Sequence, residues 1–227
     1  MKFLVKYLFA PFRFLYKVYF GVLFFTSMLL MYPFFKYYLK TKKYHKVFYL
    51  KKKWATFLRL GSFIGLSIDQ QHPLPQPPYI ICANHGSYID TVLMYCVIPD
   101  YFLFMGKGEL LHWPLFRIFF YDMNIPVIRG DAKKPHQAFA KASLSIENGS
   151  CLALFPEGTI PNSAPKMGRF KNGAFKLAIE KQVPILPVTF LTNYKIFGEP
   201  TEFLSPGCPN TCLLYTSLTS CCIVGIF

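Results

Sequence analysis

The pattern of apolar and polar positions divides the chain into two unlike parts. Residues 18–35 are uncharged and mostly aromatic or aliphatic, which predicts an apolar helix about 27 Å long. That length lies at the lower edge of what can span a bilayer core. After the proline-rich stretch QQHPLPQPP at 70–78, which cannot continue a helix, short apolar runs alternate with longer amphipathic ones.

The alternating runs predict individual strands and helices. The short apolar runs predict strands at 79–83, 101–105, 125–128, 151–155 and 185–191. The amphipathic runs predict helices at 90–98, at 109–121 with a break near Pro114, at 135–147 and at 173–181. This order predicts an α/β domain, with a mixed, largely parallel sheet flanked by helices and preceded by an N-terminal membrane-anchoring helical segment.

Composition separates three segments of the chain. A basic, aromatic anchoring segment occupies 1–60, the α/β domain 61–204, and an anomalous tail 205–227. The tail is uncharged, contains four cysteines and has no clean helical or strand period. We interpret it as sequence foreign to the domain, with the native carboxyl end missing. An apolar terminal segment is the alternative interpretation.

The charge distribution indicates a membrane surface rather than a nucleic acid as partner. The net charge is +14, and thirteen of the 25 lysines and arginines precede residue 61, whereas the first acidic residue is Asp69. A basic patch beside an apolar helix attracts anionic lipid. Basic residues are denser after the helix than before it, so a spanning helix would leave the rest of the chain cytoplasmic. A helix lying in the membrane interface remains equally open.

The cysteines predict neither a disulfide framework nor a metal site. Cys82, Cys96 and Cys151 stand singly in apolar segments, where buried reduced thiols are expected. The four cysteines of the tail lack the paired C-x-x-C spacing that is typical of zinc sites. No metal and no cofactor is expected.

Two polar motifs follow strand-like runs and carry the candidate chemistry. The string NHGSYID at 84–90 contains His85 and Asp90, and FPEGT at 155–159 contains Glu157. Five steps along a regular helix would put His85 and Asp90 on different faces, so we expect a turn that enters a helix. In such a turn the carboxylate can fix the imidazole tautomer, and the second ring nitrogen can then take a proton from a hydroxyl. A structural histidine–aspartate pair is the alternative.

Five sequence blocks, in order, resemble the 1-acylglycerol-3-phosphate O-acyltransferase family, also called the lysophosphatidic acid acyltransferases or HxxxxD glycerolipid acyltransferases. The string NHGSYID is similar to the family's N-H-x-S-x-x-D signature. The other blocks are KGEL at 107–110, IPVIR at 125–129, FPEGT at 155–159 and VPILPV at 183–188. The resemblance covers roughly residues 50–203 and implies the glycerol-3-phosphate acyltransferase-like fold.

The resemblance implies a reaction and a set of site residues. His85 and Asp90 would be the base and its orienting carboxylate, in acyl transfer from acyl-CoA or acyl-carrier protein to the sn-2 hydroxyl of lysophosphatidic acid. Substrate-binding residues would be Arg129, Glu157, Gly158, Thr159, Asn84, Ser87 and Lys107. Ser87 is also placed to cap the following helix, and Asn84 to brace the loop.

One departure from the family concerns the acceptor. The family often has arginine after F-P-E-G-T, whereas this chain has Ile160, with Lys166, Arg169 and Lys171 following as possible substitutes. Another lysolipid acceptor is therefore an alternative, as is a non-catalytic membrane-binding protein. A hydrolase is disfavoured because no G-x-S-x-G motif supplies a serine. We expect a membrane-associated enzyme with its active site on the cytoplasmic face.

Overall fold

A computed structural model describes residues 10–70, 72–128, 133–197 and 212–216. The α-helices are α1 Ala10–Lys40, α2 Tyr44–Gly61, α3 Asp90–Val97, α4 Pro114–Asp122, α5 Lys133–Glu147 and α6 Gly173–Lys181. The strands are β1 Leu66–Gln70, β2 Ile80–Ala83, β3 Phe102–Lys107, β4 Ile125–Val127, β5 Cys151–Leu154, β6 Ile185–Phe190 and β7 Cys212–Thr216. Short 3₁₀ helices cover Gly108–His112 and Asn193–Lys195.

The described strands form one sheet in the order β1-β7-β6-β2-β5-β3-β4. All paired strands run parallel except β6 and β7, which are antiparallel. The sheet is therefore mixed and largely parallel, as predicted. Strand β2 lies between β5 and β6, so these three strands end at one edge of the sheet.

The elements after residue 79 confirm the sequence prediction to within about two residues at most ends. The predicted break at Pro114 separates a 3₁₀ helix from α4, which begins at that proline. The prediction missed α2 and β1. Strand β1 (LSIDQ) is largely exposed, and so lacks the apolar run that marks the central strands. The tail, expected to have no regular element, contributes β7, which pairs with β1 and β6.

Helix α1 is longer than the predicted 18–35 and continues through Pro33. A proline removes one backbone hydrogen bond and usually ends or bends a helix. Here the turns on both sides pack on the rest of the protein, with Met28 and Phe35 fully buried. By length and composition, Phe14–Lys40 is the one candidate membrane span in the described part of the chain.

Helix α2 contains a buried lysine. Lys51 is 5% exposed, and its Nζ lies 4.2 Å from the ring centroid of Phe119 and 3.4 Å from the Tyr95 hydroxyl. Among the described residues no carboxylate pairs with it, and burial lowers the pKa of Lys51 to about 7. We call Lys51, Tyr95 and Phe119 the lysine pocket, and it joins α2 to α3 and α4.

Candidate active site

Three adjacent parallel strands deliver the polar groups of the site. In register, Cys82 of β2 lies beside Leu154 of β5 and Pro187 of β6. Their carboxyl ends therefore meet, and ligands of open α/β sheets bind beyond such ends. The segment at 84–90, here called the histidine loop, follows β2 directly.

His85 and Asp90 are in contact through the turn that the sequence predicted. His85 Nδ1 lies 3.0 Å from Asp90 Oδ2, and Asp90 is the first residue of α3. The His85 ring stacks on Phe155, with centroids 4.0 Å apart and planes 11° from parallel. The side chain of His85 is 16% exposed, whereas that of Asp90 is fully buried. Because the carboxylate accepts at Nδ1, Nε2 is left free to accept a proton.

The Asp90 carboxylate is surrounded by hydrogen-bond donors. Its Oδ2 accepts from the backbone N–H of Gly86 at 2.9 Å and of Ser87 at 2.8 Å, in addition to His85. Its Oδ1 accepts from Asn193 Nδ2 at 2.6 Å. Hydrogen bonds to the charged form stabilise a buried carboxylate that desolvation would otherwise disfavour.

Asn84 and Ser87 tie the histidine loop to the segment after β6. Asn84 donates through Nδ2 to the carbonyl of Phe190 at 3.0 Å and accepts the Phe190 N–H at 2.7 Å. The Asn84 side-chain amide thus makes the same pair of hydrogen bonds with the β6 backbone that a further residue of β2 would make, just beyond the end of that strand. Ser87 Oγ donates to Phe197 O at 2.8 Å and accepts the Ile89 N–H at 3.2 Å. Asn84 braces the loop as predicted, while Ser87 binds the backbone just before α3 and does not act as its N-cap.

The FPEGT turn contributes a second buried carboxylate. Glu157 Oε1 accepts the backbone N–H of His85 at 2.8 Å, and Oε2 accepts that of Gly168 at 2.6 Å. With 6% of its surface exposed, Glu157 has little area left for a substrate. Gly158 adopts a φ of +74°, a conformation that favours glycine. Glu157 therefore connects the histidine loop to the loop that returns at Gly168.

Burial suppresses cysteine chemistry beside the site. Cys82 lies in β2, two residues before Asn84, and burial raises the pKa of its thiol to about 12. Burial also raises the pKa of the Cys151 thiol on β5, to about 11. Since the thiolate is the nucleophile, neither cysteine is activated at neutral pH. Cys82, Cys96 and Cys151 are free thiols, as predicted, but only Cys151 is fully buried, whereas Cys82 and Cys96 are partly exposed.

The other predicted site residues are exposed or lie outside the described residues. Lys107 is exposed at the end of β3, two strands from β2 at the same edge. Thr159 is exposed after the FPEGT turn, and Ile160 is 6% exposed. Arg129, the predicted phosphate ligand, lies outside the described residues.

Asn193 is a site residue that the sequence analysis missed. It is fully buried and begins the 3₁₀ helix that follows β6. Its place beyond the carboxyl end of a strand adjacent to β2 was the available signal, because such ends meet in a parallel sheet. Its partner is 103 residues away, so no local motif indicated the contact.

Comparison with known proteins gives consistent matches. The model of the family described as Acyltransferase matches residues 65–191. The mouse (Mus musculus) 1-acyl-sn-glycerol-3-phosphate acyltransferase alpha is 36% identical over 146 residues, covering 60% of this chain and 48% of the mouse protein. The Haemophilus influenzae 1-acyl-sn-glycerol-3-phosphate acyltransferase is 31% identical over 137 residues, covering 58% of this chain and 57% of that protein. The chain thus spans about half the length of these curated relatives.

A solved structure has the same fold. The crystal structure of the 1-acyl-sn-glycerophosphate (LPA) acyltransferase PlsC from Thermotoga maritima aligns with a TM-score of 0.74 at 20% identity. The alignment covers 93% of this chain and 85% of that one. At this identity the likeness shows the fold, and the α/β architecture with an N-terminal helical segment is confirmed.

Proposed function

The chain belongs to the Acyltransferase family, and we propose that it transfers an acyl group from an acyl thioester to the sn-2 hydroxyl of lysophosphatidic acid, making phosphatidic acid. The observation that carries the proposal is the contact of 3.0 Å between His85 Nδ1 and Asp90 Oδ2 at the carboxyl edge of the sheet. The names of the mouse and Haemophilus relatives support the same acceptor.

The dyad supplies the base for the transfer. The His85 Nδ1–H donates a hydrogen bond to Asp90 Oδ2 and keeps its proton. Nε2 takes the proton of the acceptor hydroxyl as the oxygen attacks the thioester carbonyl carbon. The carbon–sulfur bond then breaks, and the imidazolium returns its proton to the leaving thiolate. The nucleophile belongs to the acceptor, so the reaction needs no acyl-enzyme intermediate. The protonated Cys82 thiol fits this scheme.

Glu157 and Phe155 position His85. The Glu157 carboxylate holds the backbone N–H of His85, and the Phe155 ring stacks on the imidazole. The backbone and the ring plane of His85 are thereby both constrained, which favours a fixed geometry of attack. We therefore assign Glu157 to positioning, in place of the direct substrate contact that the resemblance implied.

Cationic side chains at positions other than 160 must bind the acceptor phosphate. Ile160 is buried and uncharged where the family often has arginine. The loop after it returns to the FPEGT turn, since the Lys171 N–H donates to Pro156 O at 2.9 Å and Gly168 contacts Glu157. Arg169 and Lys171 are exposed on this loop, and with Lys107 and Arg129 they are the candidate phosphate ligands. Ile160 also favours a second candidate function, acylation of a lysolipid with a different headgroup.

The helical layer formed by α1 and α2 supports membrane association. One face of α1 packs on the protein: the Tyr16 hydroxyl donates to Ser62 O at 2.8 Å, the Phe20 and Phe197 ring centroids are 4.4 Å apart, and Phe35 contacts Phe119. The opposite face exposes large apolar side chains at Phe12, Leu15, Val18, Val22, Phe25, Leu29, Leu30, Phe34 and Tyr37. Because α1 packs on the domain along its length, we infer that it lies in the membrane interface and does not cross the bilayer.

The orientation and the donor complete the proposal. Apart from the buried Lys51, the basic residues before residue 61 would contact anionic lipid, which favours the cytoplasmic face for the site. Acyl-CoA and acyl-carrier protein both present a thioester to that face, and either would serve the same chemistry.

An acyl-transfer assay tests the proposal. Membranes containing the full chain are given lysophosphatidic acid and labelled acyl-CoA or acyl-carrier protein, beside His85→Ala and the control His136→Ala, which changes an exposed histidine on α5. We expect phosphatidic acid from the parent and the control, and a loss of about 10²–10⁴-fold in His85→Ala. Unchanged product in His85→Ala would contradict the base assignment. If product forms with another lysolipid and not with lysophosphatidic acid, the proposed acceptor would be wrong, while the proposed acyl transfer would stand.

A further inference from the structure

Asn193 contacts the dyad from outside every motif that the sequence presented. The residue is fully buried, and its Nδ2 donates to Asp90 Oδ1 at 2.6 Å. Its own Oδ1 is buried and has no hydrogen-bond partner among the described residues. The bond to Asp90 is therefore the one hydrogen bond that the Asn193 side chain makes among the described residues.

A buried amide with one unpaired oxygen is a poor choice for packing alone. Leaving a buried polar atom unpaired costs about 1–3 kcal/mol, and leucine has nearly the same shape without that cost. The benefit of asparagine at position 193 must therefore come from the bond it makes to the carboxylate.

The two oxygens of Asp90 are held in different ways. Oδ2 receives its donors from the histidine loop itself, namely His85, Gly86 and Ser87. Oδ1 has one donor among the described residues, Asn193, which comes from a different part of the chain. Without that donor the carboxylate could rotate about its Cβ–Cγ bond, and Oδ1 would be buried without a partner.

The chain around Asn193 is fixed to the same loop on both sides. Before it, Phe190 pairs through its N–H and C=O with the Asn84 side chain. After it, the Phe197 carbonyl accepts the Ser87 hydroxyl. The backbone on both sides of Asn193 is therefore tied to the loop that carries Asp90.

We propose that Asn193 is a positioning residue for the reaction, which holds the Asp90 carboxylate so that Oδ2 faces His85 Nδ1. The inference rests on the proposed acyl transfer, in which His85 must keep its proton on Nδ1 and leave Nε2 open. Asn193 touches neither acceptor nor donor and acts through Asp90.

The test compares Asn193→Ala and Asn193→Asp with the control Asn124→Ala in the full chain. Asn124 Oδ1 accepts the Phe104 N–H at 3.2 Å, so the control also removes a partly buried side-chain hydrogen bond but does not contact the dyad. The readouts are kcat and KM with lysophosphatidic acid and acyl-CoA, the pH dependence of kcat, thermal unfolding, and magnetic resonance of the His85 ring nitrogens after histidine-selective isotope labelling. His85→Ala identifies the His85 signals.

We expect Asn193→Ala to lower kcat by about tenfold or more, with KM within about twofold, because only the alignment of the base is lost. Its His85 ring signals should move toward a mixture of the two neutral tautomers. In Asn193→Asp the two carboxyl groups share a proton at low pH, and the protonated one can still donate to Asp90 Oδ1. The kcat of this variant relative to the parent should therefore fall as pH rises, whereas the ratio for Asn193→Ala should be flat.

A kcat of Asn193→Ala within twofold of the parent, or unchanged His85 signals, would overturn the inference. If Asn193→Ala and Asn124→Ala lost the same fraction of kcat, in proportion to their loss of thermal stability and independently of pH, Asn193 would have a structural role only. A parent inactive on every lysolipid would contradict the proposed function, while the His85 signals would still decide whether Asn193 sets the tautomer.

Discussion

The histidine loop and the lysine pocket each hold an ionisable side chain away from solvent, and they do so by opposite means. Asp90 is fully buried and meets four hydrogen-bond donors, whereas Lys51 is 5% exposed and meets aromatic rings. Helix α3 borders both regions, with Asp90 in its first turn and Tyr95 in its last. The comparison teaches that burial alone does not mark a reactive group: donors stabilise a charge in the loop, while the pocket favours the neutral amine.

The largest expected effect comes from removing the carboxylate charge from the histidine loop. Asp90→Asn keeps the shape of the side chain but removes the negative charge that holds the proton on His85 Nδ1 and stabilises the imidazolium. We expect kcat to fall by about 10³–10⁴-fold, as in other sites where an aspartate orients a catalytic histidine. The measurement is the initial rate of acyl transfer to lysophosphatidic acid, with thermal unfolding recorded in parallel. A variant that stays folded and keeps a tenth of the parent rate would contradict the orienting role.

An effect of intermediate size is expected in the lysine pocket, where a substitution should increase stability. The pKa of Lys51 is lowered to about 7 in the folded protein but stands at 10.5 in the unfolded chain. Between these two pH values the unfolded state binds one more proton, so the free energy of unfolding rises with pH, by at most about 1.4 kcal/mol per pH unit. Below pH 7 both states are protonated, and the full cost of burying the charged lysine acts against folding. Lys51→Met removes this cost of burying a charge and should stabilise the protein by about 2–4 kcal/mol at pH 7.

Thermal unfolding at pH 7 and pH 9 checks this prediction. The parent should gain stability relative to Lys51→Met as the pH rises, because the penalty shrinks. Lys53→Met on the same helix is the matched control, since Lys53 is exposed and stacks over Tyr49 with its Nζ 4.7 Å from the ring centroid. An Lys51→Met protein that is less stable than the parent at pH 7 would mean that the contacts with the Phe119 and Tyr95 rings outweigh desolvation.

The smallest expected effect concerns the exposed face of α1, which packs on α2, the helix that carries Lys51. Leu30 is 74% exposed, and Leu30→Ser removes apolar area available to lipid worth about 1–2 kcal/mol. We expect binding to anionic vesicles in a flotation experiment to weaken by roughly tenfold. Leu144→Ser, which changes a 58% exposed leucine on α5, is the control and should bind like the parent. Equal weakening by both variants would reject α1 as the specific membrane surface.

The elements that the sequence predicted are those whose signals are local. Proline at 114 and the apolar runs of β2 and β5 mark their own boundaries, and His85 and Asp90 lie five residues apart within one turn. Strand β1 has four exposed residues of five, so its pairing with β7 sets its structure more than its own pattern does.

The parts of the site that the sequence could not predict depend on distant partners. The resemblance implied that Glu157 binds substrate, but the hydrogen bonds of its oxygens to the backbone N–H groups of His85 and Gly168 could not be predicted. Nothing in the FPEGT string specifies those partners. Asn193 carries no motif of its own, and its role becomes visible only when β6 is seen to lie beside β2.

The contacts of the histidine loop have a consequence for the timing of synthesis. Its partners lie 72 residues away at Glu157, 103 at Asn193 and 110 at Phe197. A nascent chain therefore cannot assemble the site until residue 197 has left the ribosome, whereas α1 emerges before the site residues and can reach the bilayer earlier. Under the proposed function, the chain would reach a lipid surface before its site could modify a lipid.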